Sequence, residues 1–240
     1  MKIKPLLESI NSNTFLHDYL SACGIKDVEG YLKPDDSAFD SPWLYVNMQE
    51  AVDRLHSAIS CGEKIGILQD VDGDGVMSTV IAYDFLCKQS NKPYVFWHTG
   101  KQHGLRPSKD ENMVKQVKES GITLLWIPDA GSGDVEQCKE LKEYGIDAVI
   151  TDHHLAINNP YAIVVNCHFG ENINNNLTGA GVTDKLVTGY CEKYNIEKPD
   201  YSDLVAFSLV SDVADFTSIE NRGYMEKANR KLCPQKHLFE

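Results

Sequence analysis

Residues 65–75 read IGILQDVDGDG, and this stretch decides the predicted fold. The apolar run Ile65–Leu68 is short and leads directly to carboxylates at alternate positions, Asp70, Asp72 and Asp74. A run of this length that ends in glycine and aspartate predicts a buried β-strand followed by a tight turn. The strand therefore brings three acidic side chains to one place, at its carboxyl end.

Short apolar runs alternate with amphipathic segments along the rest of the chain. Strands that alternate with helices predict a mainly parallel β-sheet flanked by helices on both faces, so the predicted fold class is α/β. Leu204–Val210 is apolar and is predicted to be buried. The predicted strands are Ile65–Leu68, Tyr94–Trp97, Thr123–Ile127, Ala148–Thr151 and Ile163–Val165. The predicted helices are Met48–Cys61, Val76–Cys87, Asp110–Glu119, Val135–Tyr144, Val182–Tyr194 and Asn221–Leu232.

Length and composition predict the domain organisation. The chain has 240 residues, of which 42% are hydrophobic, and this suits one sizeable α/β domain with a helical extension. We predict a short helical N-terminal extension at residues 1–45 and one domain at residues 46–240. Because no apolar run approaches the roughly 18 residues of a membrane span, and because no secretory signal begins the chain, we expect no membrane partner.

Cysteines and charge narrow the class of protein. Seven cysteines, an odd number without a CxxC pair, predict free thiols in a reducing cytoplasm. The net charge of −12 argues against a sequence-independent nucleic-acid coat, which is usually basic. This charge does not exclude a nuclease, because metal ligands are themselves acidic and bound cations invert the local field.

Three predicted strands end in acidic or histidine-rich turns, at Asp70–Gly75, Asp129–Gly131 and Asp152–His154. In open parallel sheets, ligands bind beyond the carboxyl ends of the strands. If these strands are neighbours, their clustered carboxylates repel one another unless cations bind between them. Mn²⁺ suits carboxylates with imidazoles, and Mg²⁺ suits carboxylates with water. Two such ions about 3.5–4 Å apart can hold a phosphodiester and activate a water for in-line attack.

Two of these turns also have a simpler interpretation. Asp70–Gly75 has the pattern of a calcium loop, but such a loop follows a helix and places glutamate where this chain has Ile81. A solvated acidic turn without function is a second alternative. Asp129, with Gly131 beside it, is also typical of a turn or a helix cap. Adjacent histidines at a strand end instead favour a metal ligand.

Taken together, these residues resemble the DHH phosphoesterase superfamily and, within it, the branch of RecJ-like single-strand exonucleases. The resemblance extends through five motifs in order and covers nearly the whole chain. It implies a DHH catalytic domain at residues 46–240 that works with two Mn²⁺ or Mg²⁺ ions. The motifs are DVDGDG at Asp70–Gly75, DAG at Asp129–Gly131, DHH at Asp152–His154, GAGV at Gly179–Val182, and SDVADF at Ser211–Phe216 followed by ENR at Glu220–Arg222.

The resemblance also implies roles for individual side chains. Asp129 would bridge the two ions, and His154 would lie beside the scissile phosphate or a metal. Asp70 and Asp152 would orient ligands or water. Metal ligation is implied for Asp72, Asp74, Asp129, His153 and Asp212.

Substrate contacts are implied less specifically. A helix start at Gly179, Ala180 and Gly181 would bring backbone N–H groups to a phosphate, with close helix packing as the alternative. RecJ-like cores carry an arginine in a PxR segment and then GYGL, and this chain departs from that pattern. The side chains that could replace this cation, with a surface role equally open for each, are His98, Lys101, His103 and Arg106.

RecJ enzymes continue into a DHH-associated domain that binds the strand, and often into an OB-fold, and this chain is expected to contain neither. We therefore expect a catalytic-domain fragment, a minimal protein with a different way of binding substrate, or a protein whose partner supplies strand binding. The leading hypothesis is hydrolysis of single-stranded DNA from the 5′ end. Two alternatives stay open: a phosphodiesterase for short oligonucleotides, cyclic dinucleotides or nucleoside bisphosphates, and a non-catalytic scaffold of a replication complex.

Overall fold

One five-stranded sheet organises the protein in a computed structural model, which describes residues 11–98, 103–107, 112–155, 158–171 and 173–232. The strands pair in parallel throughout, in the order β2-β1-β3-β4-β5. Their bounds are β1 Ile65–Gln69, β2 Tyr94–Trp97, β3 Leu124–Pro128, β4 Asp147–Asp152 and β5 Ile163–Asn166. The predicted α/β class with a parallel sheet is confirmed.

Helices make up the rest of the regular structure in the described residues. The α-helices are α1 Phe15–Ala22, α2 Val28–Leu32, α3 Met48–Ser60, α4 Gly73–Lys88, α5 Met113–Ser120, α6 Val135–Glu143, α7 Gly179–Tyr194, α8 Ser202–Ser211 and α9 Ile219–Leu232. Two short 3₁₀ helices lie at Asp36–Ala38 and Pro42–Leu44. The first two α-helices and both 3₁₀ helices fall within the predicted extension, but the boundary after residue 45 stays a prediction.

Hydrophobic side chains cover both faces of the sheet, because successive residues of a strand point to opposite faces. On β3, Trp126 belongs to one buried cluster and Ile127 to the other. On β4, Val149 and Ile150 divide in the same way. The first cluster contains residues of α3, α4, α7 and α8, and the second contains residues of α5 and α6. The predicted helices on both faces of the sheet are therefore confirmed.

The strand order places a crevice at the carboxyl edge of the sheet. Strand β1 lies between β2 and β3, so the chain leaves β1 toward one side and later returns to β3 on the other. At such a switch point the two connections diverge, and α/β proteins bind ligands in the crevice between them. Asp70 follows β1 and Asp129 follows β3, so acidic residues flank this crevice from both strands.

Two helices begin three residues earlier than predicted, and α9 begins two residues earlier, at Ile219. Helix α4 begins at Gly73, inside the predicted turn, because Asp72 caps it by accepting a hydrogen bond from the N–H of Gly75 at 2.9 Å. Helix α7 begins at Gly179 rather than Val182, so the whole GAG sequence forms its first turn. Both differences bring the glycine-containing motifs onto helix starts.

The predicted burial of Leu204–Val210 is wrong for two residues. The segment lies in α8, and Phe207 and Val210 are 57% and 58% exposed, because a helix at the surface buries only one side. The predicted helix Asp110–Glu119 begins outside the described residues; its described part begins with Asn112, the N-cap, and continues in α5. Within the described residues, we find no helix with the length and apolar character needed to cross a membrane.

Candidate metal centre

Asp129 follows β3 and lies at the middle of the candidate centre. Its side chain is 1% exposed, and its backbone adopts a left-handed conformation with φ of 69°. Neither carboxylate oxygen accepts a hydrogen bond from any described residue. Burial, and then the charges of Asp74 and Asp72, raise the pKa of this carboxyl well above its usual range. A buried carboxylate without donors, held in an uncommon backbone conformation, fits a bound cation as its partner.

His153 lies among three carboxylates that come from different parts of the fold. Its Nε2 is 3.2 Å from Oδ1 of Asp129 and 3.7 Å from Oδ2 of Asp74. Its Nδ1 is 3.8 Å from Oδ2 of Asp212, which follows α8. Asp74, His153 and Asp212 each offer a ligand atom within 4.8 Å of the other two. One imidazole with several carboxylates is a donor set that suits Mn²⁺.

Helix α7 holds Asp74 in place through its first turn. The N–H of Gly179 donates to Oδ2 of Asp74 at 2.7 Å, and the N–H of Ala180 donates to Oδ1 at 2.8 Å. Ser78 also donates to Oδ1, at 3.3 Å. A helix N-terminus presents free N–H groups with partial positive charge, so the first turn of α7 orients both oxygens of Asp74. Asp74 accepts hydrogen bonds from the N–H groups of Gly179 and Ala180. The predicted approach of a phosphate to Gly179, Ala180 and Gly181 stays a prediction.

Asp152, at the end of β4, positions both histidines of the DHH motif. Its Oδ1 accepts hydrogen bonds from the N–H of His153 at 2.7 Å, the N–H of His154 at 3.0 Å and Nδ1 of His154 at 2.8 Å. Its Oδ2 accepts one from the N–H of Ser132 at 3.1 Å. Burial opposes ionisation, but these hydrogen bonds lower the pKa of Asp152 to about 2. The hydrogen bond to Asp152 raises the pKa of His154 to about 9.

A second group of ligand-type side chains lies on the β1 side of the crevice. Oδ2 of Asp70 is 2.5 Å from Nδ1 of His103. Asp70, Asp72 and His103 each offer one ligand atom, and these three atoms lie within 4.8 Å of one another. Asp70 is 1% exposed, whereas Asp72 and His103 are exposed. Burial raises the pKa of Asp70, while the hydrogen bond from His103 lowers it and the charge of Asp72 raises it further. The charge of Asp72 also raises the pKa of Asp129, so the two sides of the crevice are close enough to interact.

Arg106 and His103 lie at the rim of a cavity of about 210 Å³ that His154 also lines. Nε of Arg106 lies 2.8 Å from Oδ1 of Asp134, and the N–H of Leu105 donates to Oδ2 of Asp134 at 2.7 Å. Of the four side chains considered as replacements for the missing arginine, His103 and Arg106 therefore lie beside the DHH motif. His98 follows β2, farther along the sheet edge, and Lys101 lies outside the described residues.

Asp134 is a residue of this site that was not predicted from the sequence. This residue precedes α6, a position typical of a helix cap, but its side chain makes no capping hydrogen bond. It instead holds residues 104–106 beside the crevice, and it is 4% exposed. A buried aspartate at a helix start gives no local signal of this role, because its partners lie 28 and 29 positions earlier.

Gly179→Ala is expected to disrupt the centre. A Cβ at this position would lie 2.3 Å from Oδ1 of Asp129 and 2.7 Å from its Cα. Either α7 or Asp129 would have to move, at a cost of about 1–3 kcal/mol in the free energy of unfolding, and we expect Mn²⁺ to bind more weakly. Thermal unfolding and calorimetric Mn²⁺ titration measure the two effects.

Gly189→Ala, on the same helix, is the matched control. Its added Cβ would meet the flexible side chain of Met48, with Sδ at 3.4 Å, so we expect little change in Mn²⁺ affinity. Equal Mn²⁺ affinity of Gly179→Ala and Gly189→Ala would contradict the tight contact between α7 and Asp129.

The chain is similar to a known protein family and to known exonuclease sequences. The sequence model of the DHH family, N-terminal domain, matches residues 64–209. The chain is 29% identical over 214 residues to a putative SPbeta prophage-derived single-strand DNA-specific exonuclease, YorK, of Bacillus subtilis, covering 87% of this chain and 36% of that protein. It is 34% identical over 156 residues to the single-stranded-DNA-specific exonuclease RecJ of the same organism, covering 64% of this chain and 20% of that protein. The chain thus spans about a third or less of the length of these relatives.

Solved structures show the same fold. An exonuclease RecJ bound to manganese superposes with a TM-score of 0.70 at 25% identity, over 79% of this chain and 49% of that chain. RecJ of Thermus thermophilus in complex with Mn²⁺ superposes with a TM-score of 0.68 at 24% identity, over 80% of this chain and 28% of that chain. The parallel sheet and its helices therefore occur in proteins whose crystals contain a divalent cation.

Proposed function

Because the chain belongs to the DHH family, we propose that it hydrolyses phosphodiester bonds of single-stranded DNA with divalent cations, beginning at the 5′ end. The observation that carries this proposal is the buried carboxylate of Asp129, which accepts no hydrogen bond from the part of the chain that the structure describes and whose Oδ1 lies 3.2 Å from Nε2 of His153. Relatives named as single-strand DNA-specific exonucleases support the choice of substrate. A RecJ structure bound to manganese supports the choice of cation.

Two groups of side chains would hold the cations. Asp74, Asp129, His153 and Asp212 would hold one ion on the β3 and β4 side, and Asp72 would contribute to a second ion on the β1 side. Such ions, when bound, polarise a phosphodiester and supply a nucleophilic water near neutral pH. The choice of Mn²⁺, and the number of two ions, are part of this proposal.

The remaining residues of the DHH motif would position the substrate. Asp152 accepts a hydrogen bond from Nδ1 of His154, so the imidazole is held at one end and its Nε2 is available for a phosphate oxygen. Asp152 therefore acts through the histidines rather than on the substrate. Arg106, which is 68% exposed along its side chain beside the same cavity, would contact a further phosphate of the strand.

Strand binding beyond the reacting nucleotide would depend on a protein partner or an additional module. The chain carries a net charge of −12, and non-specific binding of a polyanion needs positive surface. We also propose that the protein acts in a reducing cytoplasm, because the six described cysteines are all free thiols.

Digestion of single-stranded DNA labelled at either end tests the proposal. We expect Mn²⁺-dependent release of label from the 5′ end first, and complete inhibition by a chelator. A dinucleotide and a cyclic dinucleotide, assayed in parallel, report whether short substrates react faster. Release of label from the 3′ end first would overturn the proposed direction of digestion. Faster turnover of the short substrates would favour a small-substrate phosphodiesterase. Inactivity on every substrate would refute the proposed enzymatic activity.

A further inference from the structure

The carboxylate of Asp70 is incompletely satisfied on the β1 side of the crevice. Its Oδ2 contacts Nδ1 of His103 at 2.5 Å, but its Oδ1 is buried without a hydrogen-bond partner among the described residues. The side chain is 1% exposed, so water does not replace that partner freely. A buried carboxylate with an unpartnered oxygen is costly unless a positive group contacts it. The geometry therefore calls for a positive group beside Oδ1 of Asp70.

The surroundings of Asp70 have the composition of a cation site. Asp70, Asp72 and His103 each offer one ligand atom, and the three atoms lie within 4.8 Å of one another. Asp72 and His103 are exposed, so water or substrate oxygens have access to complete a coordination shell from the open side. This group shares no residue with the group of Asp74, His153 and Asp212. The crevice thus contains two groups with the same donor set, each with one imidazole and two carboxylates.

We propose that His103 is a ligand of the divalent cation on the β1 side, together with Asp70 and Asp72. This inference rests on the proposed function, whose second cation site it completes. Asp70 then contacts the cation directly instead of only orienting other ligands. An imidazole in this position favours Mn²⁺ over Mg²⁺, because Mg²⁺ prefers oxygen ligands. His103 thereby sets the metal preference of the β1 side.

His103→Gln is the sharpest test, because glutamine keeps a hydrogen-bond donor for Asp70 and removes the imidazole. The chelator-treated chain is titrated calorimetrically with Mn²⁺ and, separately, with Mg²⁺. We expect one of the two Mn²⁺ ions to bind about tenfold or more weakly and the other to bind with the affinity of wild type. The affinity for Mg²⁺ should fall less than the affinity for Mn²⁺. His17→Gln, which changes an exposed histidine of α1, is the control and should bind both ions normally.

Pulsed electron paramagnetic resonance of bound Mn²⁺ distinguishes a ligand from a neighbouring donor. In His153→Ala, the ion that remains on the chain should couple to an imidazole nitrogen, and this coupling should disappear in His153→Ala/His103→Gln. Unchanged Mn²⁺ affinity in His103→Gln, or nitrogen coupling that survives in the double variant, would overturn the assignment of His103. Wild-type chain that binds no Mn²⁺ would instead refute the metal site of the proposed function itself, so the two failures are distinguishable.

Discussion

Replacing Asp129 with asparagine is expected to reduce Mn²⁺-dependent hydrolysis of single-stranded DNA by about 1,000-fold or more. Asparagine has nearly the same shape as aspartate but lacks the charge that would hold a cation. It also tolerates the left-handed backbone of this residue, at φ of 69°, where alanine would add strain. The loss of activity therefore reports the missing charge and not a distorted turn. The end-labelled digestion assay measures the effect.

The same variant separates metal binding from folding. Asp129 is buried beside Asp74, and burial together with this like charge raises its pKa, so removing the charge relieves repulsion in the metal-free protein. We expect metal-free Asp129→Asn to unfold at the same temperature as metal-free wild type or at a higher one. Mn²⁺ at a hundredfold excess over its Kd should stabilise wild type by about 2.7 kcal/mol, but not the variant.

Asp18→Asn, on α1, is the control for the loss of one negative charge. Its side chain is 45% exposed and belongs to α1, far from the sheet edge in sequence, so both activity and stabilisation by Mn²⁺ should be retained. If Asp129→Asn kept activity within tenfold of wild type, or were still stabilised by Mn²⁺, the central place of Asp129 in the metal centre would be refuted.

Lys185→Met is expected to destabilise the fold by about 3–5 kcal/mol. Lys185 and Glu220 form an ion pair between α7 and α9, and each is 3% exposed. Nζ of Lys185 also donates to the carbonyl of Asp40 at 2.5 Å, and Oε1 of Glu220 accepts from the N–H of Asp40 at 3.1 Å. Without Lys185, the carboxylate of Glu220 stays buried without its positive partner, and burial already raises its pKa. Urea unfolding measures the change in the free energy of unfolding.

Two further variants make this prediction specific. Lys193→Met, on the same helix, breaks a partly exposed pair with Asp53 and should cost less than about 1 kcal/mol. Lys185→Met/Glu220→Leu removes both charges and should recover much of the loss, because an apolar pair no longer leaves a buried charge. A single Lys185→Met variant as stable as Lys193→Met would show that the buried pair contributes little to stability.

The order and type of the five strands and of most helices could be predicted from the sequence because their signals are local, whereas the segment that forms α8 was predicted only to be buried. Each predicted strand agrees with the observed strand to within one residue at either end. Buried parallel strands are short apolar runs, and glycine and aspartate follow them closely. Helix starts were predicted less well, since α4 and α7 begin three residues early, at Gly73 and Gly179. Burial along α8 also depends on what packs against it, as the exposed Phe207 and Val210 show.

The sequence by itself determined that acidic turns follow three strands, and parallel pairing of β1, β3 and β4 brings those turns to one edge. Only the tertiary structure decided which atoms meet there. Asp74 accepts hydrogen bonds from a helix start 105 and 106 positions later in the chain, and Asp70 contacts His103, 33 positions later. A local pattern specifies a strand or a cap, because those depend on neighbouring residues. Contacts between distant residues depend on strand order and helix packing, which no single stretch of the chain contains.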